Sequence, residues 1–532
     1  MSVSLRVLTA AGMAGASGAL LAASFVPSAV PWLAWCGLVP LLVVLRGAGS
    51  LRAFCLGFLA GAVFVGLSLR WLLVVAQMPG AAFAVLVCYG AAFTGLFALS
   101  YSLVSRRTRL PLLVAAPLLW VAIEYLRGNL GFLAAPFCLL GFSQHAALPF
   151  VQLASLTSVY GLSFILVLVN VALAEAYLWA ADTYRHGMRG TAGRIWLVAM
   201  AAALAGSVVL AAWGWGRSQI EAVARADGAL LKVALVQGNI PQDEKWDVRL
   251  RRRIQGRYEA LTLDAALQGP DLIAWPESAT TGYFNTDREI AGFVTGLARR
   301  TKIPILLGSA THEKIVRGER REQRMLNSAF LVNGEGRVLS SYDKIRLLPF
   351  AEYLPLPQIP WPRWLVPRAG RFAPGMKRVI FELPRGRFGV VICWEVFFPD
   401  LFRRFVGDGA QFMINLTNEA WFSGSAASEQ LLAMSIFRAV ENRVSLLRVA
   451  NTGITGIIDP AGRVRARLAD GSGNTLIAGT LVVSVPRAAA PSFYTRYGDL
   501  FALTCALAAS IAVALALVSR RGSAPARNTV WP

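Results

Sequence analysis

Charge is scarce in this chain, and so are the residues that build metal centres and disulfide frameworks. Only 15% of its 532 residues are charged, against 56% hydrophobic. So small a share excludes an ordinary soluble globule. The histidines His145, His186 and His312 lie far apart, so no metal-ligand spacing is present and no metal site is expected. Cys36, Cys55, Cys88, Cys138 and Cys505 fall in hydrophobic stretches, and Cys393 alone falls in the long segment of mixed composition. A disulfide inside that segment is therefore excluded. Lysine is confined to Lys232, Lys245, Lys302, Lys314, Lys344 and Lys377. Acidic residues number 30 against 52 Lys and Arg, a net charge of +22. So basic a balance raises nucleic acid as a partner. The arginines sit in loops between apolar runs instead, so no nucleic-acid partner is expected. There is no internal repeat and no low-complexity block.

What the chain does have is apolar length. Runs of the size that crosses a bilayer as a helix, roughly 20 residues, lie near 7–25, 28–45, 53–76, 80–104, 110–127, 157–180, 194–214 and 498–519. Arg6 ahead of the first run would also suit a signal peptide, but further apolar runs follow closely and an uncleaved first span serves equally well. Arginines mark alternate loops: Arg6; Arg46 and Arg52; Arg106, Arg107 and Arg109; Arg185, Arg189 and Arg194; Arg520 and Arg521. This is the positive-inside pattern with both termini cytoplasmic. The expected organisation is a transmembrane domain of about seven spans over 1–218, a globular domain over 226–487 on the outer face of the membrane, a final span over 498–519 and a cytoplasmic tail over 520–532. With an outer membrane present, the globular domain would be periplasmic. The arginine-rich stretch 249–253 reads either as a solvated helix face or as a surface toward anionic lipid head groups.

In the globular segment, strands are expected at 232–237, 271–275, 303–307, 388–393, 411–416, 445–450 and 454–458, with a hairpin over 326–333 and 337–342. Helices are expected at 249–267, 287–300, 399–406 and 427–443. The alternation indicates a layered α/β domain. Catalytic groups in such domains sit where strands end. Three reactive side chains stand at such ends: Glu277 after Ala274-Trp275-Pro276, Lys344 after Ser341-Tyr342-Asp343, and Cys393 after Val390-Val391-Ile392. Singly, a strand cysteine is usually a small hydrophobe, and Glu277 and Lys344 would be surface charges. Together they make a chemistry. A thiol must lose its proton to attack, a buried carboxylate can take it, and an ammonium can hold the oxyanion that forms at an attacked carbonyl. His312 is a poor candidate for the base.

Trp275-Pro276-Glu277, Tyr342-Asp343-Lys344 and Ile392-Cys393-Trp394-Glu395 resemble the Glu-Lys-Cys triad of the nitrilase superfamily. The wider context resembles the apolipoprotein N-acyltransferase family. It lies in Val236-Gln237-Gly238-Asn239-Ile240-Pro241 followed by Lys245-Trp246, the run from Lys344 to Pro355, Asn418-Glu419-Ala420-Trp421-Phe422, Glu124-Tyr125-Leu126-Arg127-Gly128 and Tyr160-Gly161-Leu162-Ser163-Phe164. The resemblance implies a polytopic helical membrane bundle joined to an αββα sandwich. It makes Glu277 the general base, Lys344 the oxyanion stabiliser and Cys393 the nucleophile, with the Trp394 N–H in the oxyanion hole. Glu352 and Glu395 become supporting acids, and Trp246 and Trp421 substrate-side aromatics. Trp394 stands where the family commonly has Tyr. Glu419 and Ser423 replace the Asp and Gly of its Asn-Asp-Ala-Trp-Phe-Gly, and Leu133-Ala134 replaces the Pro-Trp of its Gly-Phe-Pro-Trp.

The implied reaction needs no cofactor. A membrane phospholipid donates an acyl group to Cys393 as a thioester, and the α-amine of a diacylglyceryl-cysteine apolipoprotein takes it, completing lipoprotein maturation. A monomer is expected. Trp361-Pro362-Arg363-Trp364-Leu365-Val366-Pro367-Arg368 is expected to be a lid or lipid-facing arm, with an ordinary loop as the alternative. A membrane-bound amidase or nitrilase would use the same triad with water resolving the thioester. A transporter carrying a degenerate binding domain is disfavoured by the intact triad, the scarcity of paired charges in the spans and the lack of repeated halves.

Overall fold

The computed structural model describes residues 3–25, 30–75, 78–187, 192–225, 228–317, 320–366, 370–486, 488 and 490–519. Arg189, Arg520, Arg521 and the tail 520–532 lie outside the described residues, as do Pro367 and Arg368 of the Trp/Pro loop. The chain forms two units. One comprises Met1–Leu73, Gly80–Ser218 and Asp499–Pro532, the other Val74–Pro79 and Gln219–Gly498.

The first unit is helical. Among the described residues six helices are long and apolar enough to cross a membrane: Ser4–Ala23, Ser50–Ser68, Gly80–Arg107, Val159–His186, Arg194–Arg225 and Leu500–Val518. The other two expected spans form shorter pieces. The run 110–127 becomes Leu112–Gly128, a helix of 17 residues. The run 28–45 is broken into a 3-10 turn, Pro31–Trp35, and a helix, Val39–Leu45. Pro40 cannot donate a backbone bond across this break, and Asn170 fills it from helix Val159–His186: its Oδ1 accepts from Leu38 N at 2.8 Å and its Nδ2 donates to Ala34 O at 2.8 Å. Backbone groups freed in an apolar setting need such partners.

The second unit holds two six-stranded sheets. The first contains β1 (Ala229–Gln237), β2 (Leu272–Ala274), β3 (Ile305–Arg317), β4 (Arg320–Val332), β5 (Val338–Asp343) and β12 (Gly479–Pro486). The second contains β6 (Ile380–Leu383), β7 (Gly386–Ile392), β8 (Phe412–Thr417), β9 (Ser445–Ala450), β10 (Gly456–Ile458) and β11 (Val464–Arg467). Their orders are β12-β1-β2-β3-β4-β5 and β11-β10-β9-β8-β7-β6. The centres are parallel, β1 with β2 with β3 and β7 with β8 with β9, and the remaining ladders are antiparallel. β2, β8 and β9 are buried at every residue, as strands covered on both faces must be. Helices Arg251–Ala266 and Arg288–Thr301 cover one sheet, packing Ile254, Tyr258, Val294 and Leu297 on Ile273, Trp275 and Ile305. Helices Pro399–Gly407 and Ala427–Asn442 pack on β7 and β9 of the other. The result is the αββα sandwich.

Three strands, β6, β11 and β12, lie outside those expected from the sequence. The β3–β4 hairpin is also longer than expected, with 13 residues in each arm. Its far end is rich in charge, which masks a strand pattern, but the arms pair residue for residue from Ile305↔Val332 to Arg317↔Arg320. The arginines near 249–253 meet acids: Arg249 with Asp247 at 2.6 Å, Arg251 with Asp287 at 3.1 Å and Arg253 with Glu244 at 3.6 Å.

Candidate active site

Each reactive residue follows the C-terminal end of a strand. Glu277 comes from the turn after β2. That turn is clamped by β3: Gly308 N donates to Pro276 O at 3.2 Å, and a Cβ on Gly308 would fall 2.7 Å from Glu277 Cα. Lys344 follows β5, with its backbone N donating to Asn327 O at 2.8 Å. Cys393 opens a 3-10 turn after β7 with φ +56°. A non-glycine residue in that region is held there by its surroundings. Here Asn415 of β8 does some of the holding, its Nδ2 donating to the Cys393 and Val391 carbonyls at 3.1 and 3.2 Å.

The first sheet thus contributes the carboxylate and the ammonium, and the second the thiol. Lys344 is 1% exposed. Its Nζ donates to Glu352 Oε1 at 2.8 Å and stands 3.7 Å from Glu277 Oε1. Burial works against its charge, but Glu352, Cys393 and Glu277 outweigh it, and its pKa is held above the ordinary lysine value. It is a fixed cation. Burial and the Glu277 carboxylate, with Glu352, push the Cys393 thiol well above its usual value, while Lys344 and Thr417 pull the other way. The resting thiol is therefore protonated and needs a base. Glu277 accepts from Asn327 Nδ2 at 2.7 Å.

Glu395 ties the two strand ends together. Tyr342 Oη donates to its Oε1 at 2.8 Å, the Ile345 and Arg346 amides donate to Oε1 at 2.7 and 2.9 Å, and the Ile392 amide donates to Oε2 at 2.7 Å. One buried carboxylate thus spans the turn carrying Lys344 and the turn carrying Cys393. Burial pushes its pKa up to about 7 against the pull of those backbone donors. Glu352 also accepts from the Leu348 amide at 2.7 Å. Trp394 is buried, donates its Nε1–H to the Arg346 carbonyl and packs edge-on to Phe398. Trp246, in a turn, and Trp421, in the 3-10 turn Ala420–Phe422, stay 44% and 42% exposed, and neither makes a hydrogen bond to the three reactive residues among those described. His312 packs against Tyr283 with ring centroids 4.0 Å apart and ring planes tilted by 50°. Asn327, Asn415 and Lys245, whose Nζ donates to the Glu277 carbonyl at 2.8 Å, complete the surroundings and were not anticipated. Asn327 and Asn415 are signalled only as polar residues inside or beside apolar runs, and Lys245 only by its place before Trp246 in the family-like stretch. Among the described residues no group of three or more His, Cys, Asp or Glu is placed to hold a metal ion.

Residues 17–172 match the family described as apolipoprotein N-acyltransferase N-terminal domain, and residues 232–488 match the carbon-nitrogen hydrolase family. The apolipoprotein N-acyltransferase of Geobacter metallireducens is 38% identical over 523 residues, covering 95% of this chain and 94% of that protein. The chain belongs to the apolipoprotein N-acyltransferase family. The enzyme of that name from Gloeobacter violaceus is 31% identical over 469 residues, covering 85% of each chain. Among solved structures, an amidase of the nitrilase superfamily from Nesterenkonia is 21% identical with a TM-score of 0.36, covering 49% of this chain and 92% of its own. Family membership and the apolar helices together make this an integral membrane protein with a nitrilase-like domain.

Proposed function

We propose that this chain is an acyltransferase that completes lipoprotein maturation through a thioester on Cys393, with Glu277 as general base and Lys344 as oxyanion stabiliser. The observation that carries this is the convergence of one half-buried thiol with a buried carboxylate and a buried, fixed ammonium at strand ends of two facing sheets. In the first half-reaction Glu277 takes the thiol proton and Cys393 Sγ attacks the carbonyl carbon of a phospholipid acyl ester. Lys344 and the Trp394 N–H hold the oxyanion. The lysophospholipid oxygen leaves with the proton from Glu277. In the second half-reaction the neutral α-amine of a diacylglyceryl-cysteine attacks the thioester, Glu277 takes the amine proton, and the thiolate leaves and recovers that proton.

Donor and acceptor are both held in a bilayer by acyl chains, which suits a chain with this many apolar helices. In this reading eight segments cross the inner membrane with both termini cytoplasmic, as the alternate arginine-rich loops support, and the sheet unit works in the periplasm as a monomer. Trp246 and Trp421 serve as substrate-side aromatics, and the loop from Trp361 acts as a lipid-facing lid. Trp364, 61% exposed, supports the lid.

Intact-protein mass spectrometry of the full chain in phospholipid micelles tests the reading, with and without a diacylated lipopeptide. A hydroxylamine-labile acyl adduct on the wild type, absent from Cys393→Ser and discharged onto the lipopeptide amine, is the expected result. An adduct discharged only to water would make the chain a hydrolase. No adduct under any lipid would return Cys393 to packing.

A further inference from the structure

Lys245 is a buried ammonium to which the acyl-transfer steps give no task. It closes the turn 242–246 and is 2% exposed. Its Nζ donates to the main-chain carbonyl of Glu277. That turn needs no further prop, because the Gly308 backbone already clamps it. Nor does Lys245 serve a carboxylate of its own: among the described residues none closes an ion pair with it. The groups whose negative form favours its charge are Glu277 and, after it, Cys393. The other cation facing Glu277 is Lys344, which is engaged by Glu352 at the shorter distance. The titratable groups around Lys245 are thus Glu277 after β2, Cys393 after β7 and, through them, Lys344 and Glu352.

We propose that Lys245 is a positioning residue for the base, a second cation that grips the Glu277 backbone and sets a positive charge beside the Glu277 carboxylate. The proposal rests on the reading of Glu277 as the general base. Burial draws the pKa of Lys245 down to about 7, so its charge is present below neutrality and fades as the pH rises through it.

The test is the rate of Cys393 acylation, read by mass spectrometry of the full chain in phospholipid micelles, from about pH 5 to pH 9. Lys245→Gln keeps a donor for the carbonyl and removes the charge. Its acid limb is expected to move up by about one pH unit, making it about tenfold slower below the limb, and to converge with the wild type above neutrality. Lys245→Arg is expected to restore the limb. A uniform loss across the pH range with the limb unmoved would overturn the proposal and leave Lys245 a structural donor. If Lys245→Gln melts far below the wild type, the limbs of both variants are read at a temperature where each stays folded: a limb displaced in Lys245→Gln and restored in Lys245→Arg supports the charge, and a limb unmoved in Lys245→Gln rejects it. Glu277→Gln separates the two readings. It must abolish acylation at every pH. If it does not, the base assignment fails. If it does and the Lys245→Gln limb stays put, only the role of Lys245 fails.

Discussion

In the helical unit, close contacts are made by having no side chain at all. A Cβ on Gly57 would fall 2.6 Å from the Thr94 carbonyl oxygen, and one on Gly61 would fall 2.8 Å from Ala91 Cα, so helices Ser50–Ser68 and Gly80–Arg107 touch backbone to backbone. In the sheet unit, close contacts at the strand ends are ionic: Lys344 with Glu352 and Glu277, Arg448 with Glu419, and Glu395 under four donors. The contrast follows from the solvent each unit meets. Between lipid-facing helices no hydrophobic gain is available, so small residues and dispersion do the packing. Between two sheets the interior is apolar but the strand ends supply fixed amides, and these make buried carboxylates tolerable. The chemistry therefore collects where the backbone can hold charge.

The contrast breaks most visibly at Cys393. Cys393→Ala removes the proposed nucleophile and nothing that packs heavily, so transfer is expected to fall by roughly 10³-fold or more while the thermal midpoint stays at the wild-type value. An equal collapse of stability and activity would make the thiol a core residue.

Next comes the ionic packing itself. Arg448 is buried on β9 and its guanidinium meets Glu419, Ser435 and the Ile454 carbonyl. Arg448→Met leaves the buried Glu419 without its cation, a cost of about 3 kcal/mol. The loop carrying Asn418 and Trp421 should loosen with it, which faster hydrogen exchange over 418–422 would reveal. Unchanged stability would mean the pair is replaceable by apolar packing, as between the helices.

Glu395→Gln probes the carboxylate that joins the two sheets. Both Glu395 oxygens accept backbone N–H bonds. A protonated carboxyl oxygen keeps a lone pair for its donor, whereas an amide nitrogen has none to offer. The variant should lose about 2 kcal/mol, together with much of the acylation rate. The sign of the pH effect follows from a folded pKa raised to about 7. The protonated form favours the fold, so this stabilisation is present below the ordinary glutamate pKa and is lost as pH rises through about 7. The wild type should therefore show a stability slope over that window which Glu395→Gln lacks. Parallel slopes in thermal melts at matched pH would refute the assignment.

The same contrast explains what could be read without a structure. The places of Glu277, Lys344 and Cys393 at strand ends were legible, because Glu277 and Cys393 each follow a short apolar run and Lys344 follows the second arm of the expected hairpin. Lys245 and Asn327 were not. A lysine in a polar turn looks solvated, and Asn327 sits in a hairpin whose outer half is masked by charge. The break in the second apolar run was hidden for the opposite reason. Hydropathy counts Pro31–Leu45 as continuous, while Pro40 and the Asn170 side chain decide that it is not.

The mildest test lies in the helical unit. At Gly61 a methyl group would meet Ala91 Cα and the Thr94 side chain, each at 2.8 Å. One of those atoms is backbone and cannot swing away, so the two helices must separate by a fraction of an ångström along several turns. Gly61→Ala should cost about 1–2 kcal/mol, partly offset by the better helix propensity of alanine. The reading is regional: amides around Ala91–Thr94 should exchange faster in micelles while those of β8 and β9 keep wild-type protection. Gly57→Ala, facing a carbonyl at 2.6 Å, should behave alike. If neither moves the helical amides, contact without side chains is not what holds these helices, and the few polar ties such as Asn170 carry more of that unit than its glycines do.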